Sequence, residues 1–192
     1  MDIRQYGLFA APEPCMSAAQ VALHSQWRSL WEQHVAWTRM TIIAAAHDLP
    51  DLQQTAARLL QNANDMGALM RTYYGDAGGA QFAALIRDHL LIAINLVNAA
   101  KAGDTATAAQ AEKLWYANAD SIAAFLASAN PYLPADALRA MLHEHLALTK
   151  GEAVAILTGD AQRSIMLYDQ IELQALSMAD ALSAAMVRQF RL

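Results

Sequence analysis

Met141–Asp160 reads MLHEHLALTKGEAVAILTGD. Met141, Leu148 and Ile156 recur at helical spacing as one apolar stripe, and His145, Thr149 and Glu152 fall on the same stripe. A core-facing stripe that carries an imidazole and a carboxylate demands partners for both, because a buried polar group without one is costly. The stretch ends at Asp160, whose carboxylate can accept from the orphan amides of a following helix.

Working outward, the chain is punctuated at HDLPD (47–51), YYGDAGGA (73–80), KAGDT (101–105), ANPYLPAD (129–136) and LTGDA (157–161). Between these Gly-, Pro- and Asp-rich breaks the apolar spacing is helical throughout. The spacing predicts an all-α chain of six helices over 18–48, 51–73, 79–102, 105–128, 134–158 and 161–190. Asp48, Asp104 and Asp160 are N-cap candidates 56 residues apart (104 − 48 and 160 − 104). LWEQHVAWTR, ALIRDHLLIAIN and AMLHEHLALTK place His34, His89 and His145 in register at spacings of 55 and 56. The expectation is therefore a six-helix bundle made of three helical hairpins of about 56 residues each, with residues 1–17 as a tail and 18–192 as a single domain.

The second helix of each hairpin carries an amide opposite the histidine. Asn62, Asn118 and Gln174 are 56 apart, each on or beside an apolar stripe. His89 and Asn118 stand equally far from the turn between them, as do His145 and Gln174, while His34 stands three residues farther from its turn than Asn62. In an antiparallel pair equal distance from the turn means equal height, here roughly 22 Å at 1.5 Å per residue. Each hairpin is expected to hold its histidine and its amide in one layer.

Two readings of that layer stay open. In one, each imidazole is neutral and bonded to its carboxamide, which satisfies both groups and sets helix register. In the other, His34, His89 and His145 converge as a three-nitrogen metal site with a position left for water or substrate, which suits zinc best and accommodates iron or manganese. Asn62, Asn118 and Gln174 would then line a ligand site. A ferritin-like di-iron centre is not expected, since paired Glu-x-x-His motifs are absent and Glu152 lies about 10 Å along the helix from His145. Glu152 sits at the height of Tyr168, to which it is expected to hydrogen-bond. Thr41 occupies a similar height on the first helix. Burial would raise the Glu152 pKa and make it a candidate base.

His143, Glu144, His24 and His47 read as surface groups, and Trp27, Trp31, Trp37 and Trp115 as core. Phosphate-binding glycine loops and nucleophile elbows are absent. A net charge of −5 and the lack of any Lys/Arg run argue against nucleic acid as a partner. HLLIAINLVNAA is interrupted by Asn95 and Asn98 and falls short of the ~18 apolar residues of a membrane span, so insertion is not expected. Cys15 is the single cysteine, compatible with a reducing compartment, and the N-terminus lacks a signal-peptide pattern, which together make the cytoplasm the expected location. Alanine-rich outer faces, which let helices approach closely, lean toward a homodimer.

LWEQHVAWTR, RTYYGDAGG, KLWYANADSIAAFL, ANPYL and MLHEHLALTKGEAV give the chain, over most of residues 28–190, a resemblance to a family of small uncharacterised bacterial helical proteins. Members sometimes carry the labels acetylglutamate kinase or glycosyltransferase, but the α/β alternation and phosphate loop those activities need are missing from this sequence. The resemblance implies an all-helical fold and no particular activity. Function is left between two classes: a metal- or small-ligand-binding bundle, and a helical scaffold whose polar layer only sets register.

Overall fold

The computed structural model describes residues 15–192, so most of the expected tail lies outside it. The described chain is all-helical, with α1 (Ala18–Ala46), α2 (Leu52–Lys101), α3 (Thr105–Ala129), α4 (Ala135–Leu157) and α5 (Ala161–Phe190). Each helix packs on the next in sequence, and α5 returns to pack on α1.

Local chemistry accounts for the ends of these helices. Ser17 and Gln20 form a reciprocal capping box at the start of α1. Asp104 and Asp160 accept from the backbone N–H of Thr107 and Arg163, both at 3.0 Å, as N-caps of α3 and α5. Asp48 does not cap. It has a left-handed φ of 52° and takes the position held by Gly103 and Gly159 (φ 71° and 76°) in the other two turns. The N–H that follows each of these three residues reaches five residues back, from Leu49 to Ala44, Asp104 to Ala99 and Asp160 to Ala155. That shared bond closes each helix in a Schellman-type turn. The Asp48 carboxylate instead meets Lys101 Nζ at 2.5 Å, and the same ammonium donates to Ala45 O at 2.8 Å.

Five helices stand where the sequence reading expects six, because residues 52–101 form the single element α2. Helical geometry inside it fails only at Gly75, with φ 75° and ψ 177°, a conformation essentially confined to glycine. Around that residue the chain doubles back: a Cβ built on Gly67 would lie 2.6 Å from Ala83 Cβ, and one on Gly79 2.7 Å from Gly67 O. Gly67 and Ala83 would be about 24 Å apart along an unbroken helix. At this end of the molecule Asn130, fully buried, donates to the Tyr74 hydroxyl at 3.1 Å. The Tyr74 hydroxyl in turn donates to Gln189 Oε1 at 2.8 Å, which ties the bend to the α3–α4 link and to the end of α5.

The core runs through the ring of helices. Trp27 and Phe82 are wholly buried and meet edge to face at 6.2 Å, and Met66, Leu146 and Ala179 lie beside them in the same core. Trp31 and Trp115 are also buried, while Trp37 is half-buried beneath the Arg58 guanidinium. An 18-residue window of α2 reaches a mean hydropathy of 1.4, long and apolar enough to cross a membrane, with 33% of it buried inside the bundle.

Candidate functional site

The stripe of α4 that carries His145 faces the core, as do the matching stripes of α1 and α2. His34, His89 and His145 are only 3%, 4% and 4% exposed. Each meets the amide expected for it. His34 Nδ1 lies 3.1 Å from Asn62 Oδ1, His89 Nδ1 2.9 Å from Asn118 Oδ1, and His145 Nδ1 3.0 Å from Gln174 Oε1. The amide nitrogens of Asn62, Asn118 and Gln174 donate to Leu30 O, Leu85 O and Met141 O at 3.0, 3.1 and 2.8 Å. Each carbonyl lies four residues before its histidine. Asn62 is fully buried, whereas Asn118 and Gln174 are half-buried.

These contacts assign the proton. An amide whose NH2 is spent on a carbonyl turns its oxygen to the ring, so the facing Nδ1 carries the hydrogen and Nε2 is the acceptor. At His89, Nε2 is used as such: Trp115 Nε1–H donates to it at 3.0 Å. Burial holds all three rings neutral, depressing His34 to about 4 and His89 and His145 to about 3, with mutual repulsion of the rings a smaller cause for the last two.

The three rings are neighbours but not a closed ligand set. His34 and His145 have centroids 5.9 Å apart, and Trp31 packs on both, at 5.2 and 6.0 Å. Trp31 Nε1 is buried and has no hydrogen-bond partner among the described residues. No three His, Cys, Asp or Glu side chains among the described residues are grouped to hold a metal ion. All three Nδ1 atoms face amides and His89 Nε2 faces Trp115, which leaves Nε2 of His34 and of His145 as the nitrogens open to another partner.

Glu152 is buried as expected, at 1% exposure, but its partner is not Tyr168. The Arg39 side chain reaches across from α1 to hydrogen-bond Glu152 Oε1, and its guanidinium carbon stands 5.1 Å over the Tyr168 ring. A buried carboxylate attracts the nearest cation more strongly than a neutral hydroxyl, and Arg39 is long enough to arrive first. Burial pushes the Glu152 carboxyl up, while Arg39 pulls it back down. The Tyr168 hydroxyl is also raised, by burial first and then by Glu172, Glu32 and Glu152. Thr41 is buried and donates to Trp37 O at 2.8 Å.

One helical turn beyond each histidine, toward the turns, the bundle opens into a cleft of about 410 Å³ that sequence periodicity did not reveal. Its wall includes Thr38, Ala93 and Thr149, each four residues after a histidine, with Val97, Ala153 and Trp115. The Thr149 hydroxyl is buried and has no hydrogen-bond partner among the described residues. The charged lining residues are Glu112 and Lys150, half-exposed and paired with each other at 2.6 Å. The sequence signal for this space is faint: small residues, Ala93 and Ala153, stand where bulky ones would have filled it.

Comparison with known proteins finds no matching family model, no matching curated protein and no matching solved structure.

Proposed function

We propose that this chain binds a small, largely apolar ligand in the cleft on the turn side of the histidine layer, and that the three His–amide pairs hold the surrounding helices in register. The observation that carries the reading is the cleft itself. Its volume lies within the ~300–1,000 Å³ usual for small-molecule sites, and its wall combines apolar side chains with a few hydroxyls. Saturated polar pairs such as His89–Asn118 are poor reaction partners but good register locks, because a slip of one residue would strand both members.

The architecture behind this reading is three helical hairpins, with α2 counted as two helices joined at Gly75. Three observations support it. The doubling-back at Gly75 sets Gly67 against Ala83. The left-handed residues Asp48, Gly103 and Gly159 each follow their histidine by 14 positions (48 − 34, 103 − 89 and 159 − 145). Shallow outer grooves recur 56 residues apart, with Leu85, Asp88 and Leu114 in one answered by Met141, Glu144 and Gln170 in the other.

Titration with the uncharged fluorophore N-phenyl-1-naphthylamine tests the binding proposal. Saturable one-to-one uptake, abolished by Ala153→Phe in a protein that keeps its helical circular dichroism, is the expected result. Absence of uptake would leave the scaffold reading, in which the polar layers serve register alone. A metal reading draws on the 5.9 Å approach of His34 and His145, whose Nε2 atoms would need a further donor to hold zinc, iron or manganese. Near-stoichiometric metal in untagged protein, lost in His34→Ala, is the outcome that would favour it.

A further inference from the structure

We infer that the ligand of this cleft is an uncharged, unbranched chain of roughly a dozen heavy atoms that ends in one hydrogen-bonding group, of the alcohol or primary amide class. The inference rests on the binding proposal above and goes on to the chemistry of the ligand.

Charge is settled by the lining. Glu112 and Lys150 neutralise each other at 2.6 Å, and the nearby Arg39 is taken up by Glu152 and the Tyr168 ring. A carboxylate entering the cleft would meet Glu112 without an unpaired cation to receive it, and an ammonium would meet Lys150 in the same way. Either would lose its water without a counter-charge, the costliest form of burial.

Hydroxyl inventory defines the polar end. Thr38 and Thr41 spend their protons on His34 O and Trp37 O, at 2.7 and 2.8 Å, and offer only lone pairs. Thr149 is the buried one whose hydroxyl has no partner among the described residues, on a residue only 4% exposed, whereas Thr105, the fourth lining threonine, is exposed to water. Rotation about χ1 exchanges its methyl and hydroxyl positions, so it can turn to the cleft both as donor and as acceptor. A group that donates as well as accepts would complement Thr38, Thr41 and Thr149, the lining threonines that are not exposed.

Shape follows from the helices. The cleft follows α4 from Thr149 to Leu157 and α2 from Leu90 to Ala100, lengths of about 12 and 15 Å at 1.5 Å per residue. At ~30 Å³ per water-sized group, about 410 Å³ holds roughly a dozen such groups. An elongated chain of that many groups can run the length of the cleft.

Competition against bound N-phenyl-1-naphthylamine at pH 7.5, with 1-decanol, decanoate and decylamine as competitors, tests the assignment on the full chain. The expected result is displacement by 1-decanol at a concentration at least roughly tenfold below that of either charged chain. Thr149→Val, which keeps the shape of the side chain, should weaken 1-decanol roughly fivefold, the worth of one hydrogen bond. Helical circular dichroism shows whether the variant stays folded. Decanoate or decylamine competing as well as 1-decanol would overturn the uncharged assignment while the binding proposal stood. An unchanged 1-decanol affinity in Thr149→Val would overturn the role given to that hydroxyl. A folded wild-type chain that takes up neither the fluorophore nor, by isothermal titration calorimetry, 1-decanol would overturn the binding proposal itself.

Discussion

Lowering the pH from 7 to 5.5 should remove about 4 kcal/mol of stability, because three buried imidazoles must stay neutral for the bundle to hold. Burial depresses His34 to about 4 and His89 and His145 to about 3, from an ordinary value of 6.5. The unfolded chain therefore binds protons at these rings from pH 6.5 downward while the folded chain does not. Stability rises with pH wherever the unfolded state holds more protons, so this contribution is complete above pH 6.5 and lost as pH falls toward 4 and 3. At pH 5.5 each unfolded ring gains about 1.4 kcal/mol by protonation, and three rings give about 4 kcal/mol. That is a large part of the ~5–15 kcal/mol total typical of a domain. Glu152, raised by burial, and Glu32, raised first by its hydrogen bond with Glu172 and then by burial, act in the opposite sense. They bind protons more readily in the folded state and offset part of the loss at the acid end. Urea unfolding followed by circular dichroism at constant ionic strength, from pH 7.5 to 5.0, measures the slope. It should approach three protons, or about 4 kcal/mol per pH unit near pH 5.5, and His89→Leu should reduce it by about a third. A slope below about one proton between pH 6 and 5 would refute the neutral buried layer.

Three further outcomes follow from individual contacts. Asn62→Leu strands the His34 Nδ1–H in the core and should cost about 1–3 kcal/mol in urea unfolding, whereas the double variant His34→Leu, Asn62→Leu should recover most of that loss. Equal costs for single and double variants would mean that the pair is not coupled. Glu152→Leu leaves Arg39 without its anion and should cost up to ~3 kcal/mol, below the ~3–5 of a fully buried pair because the Arg39 side chain stays 21% exposed. A Leu variant as stable as wild type would place Glu152 in water. Gly67→Ala sets a methyl 2.6 Å from Ala83 Cβ and should cost about 1–3 kcal/mol through overpacking, read as a lowered unfolding midpoint. An unchanged midpoint would mean that the two halves of α2 do not touch.

Between helices consecutive in the chain, sequence alone was enough to pair His34, His89 and His145 with Asn62, Asn118 and Gln174. Helical period says which face a residue occupies, and distance from the turn says at what height, so both coordinates of a contact between two helices joined by one turn are local quantities. The helical class follows from the same periodicity. The chemistry of the turns was less readable: Asp48 looks like Asp104 and Asp160, yet its link is two residues longer (47–51 against 102–104 and 158–160), and Asp48 takes the left-handed position that Gly103 and Gly159 fill while Asp51 stands at the N-cap position. Contacts between helices distant in the chain lay beyond the sequence, because nothing local encodes the rotation of one helix against another that it does not directly follow. That rotation brings Arg39 to Glu152 in place of Tyr168 and sets Trp31 on the rings of His34 and His145, its own N–H without a partner among the described residues. It also opens the cleft beside Thr149. A cavity is a property of several surfaces that fail to meet, and only the tertiary packing of all of them decides where that failure falls.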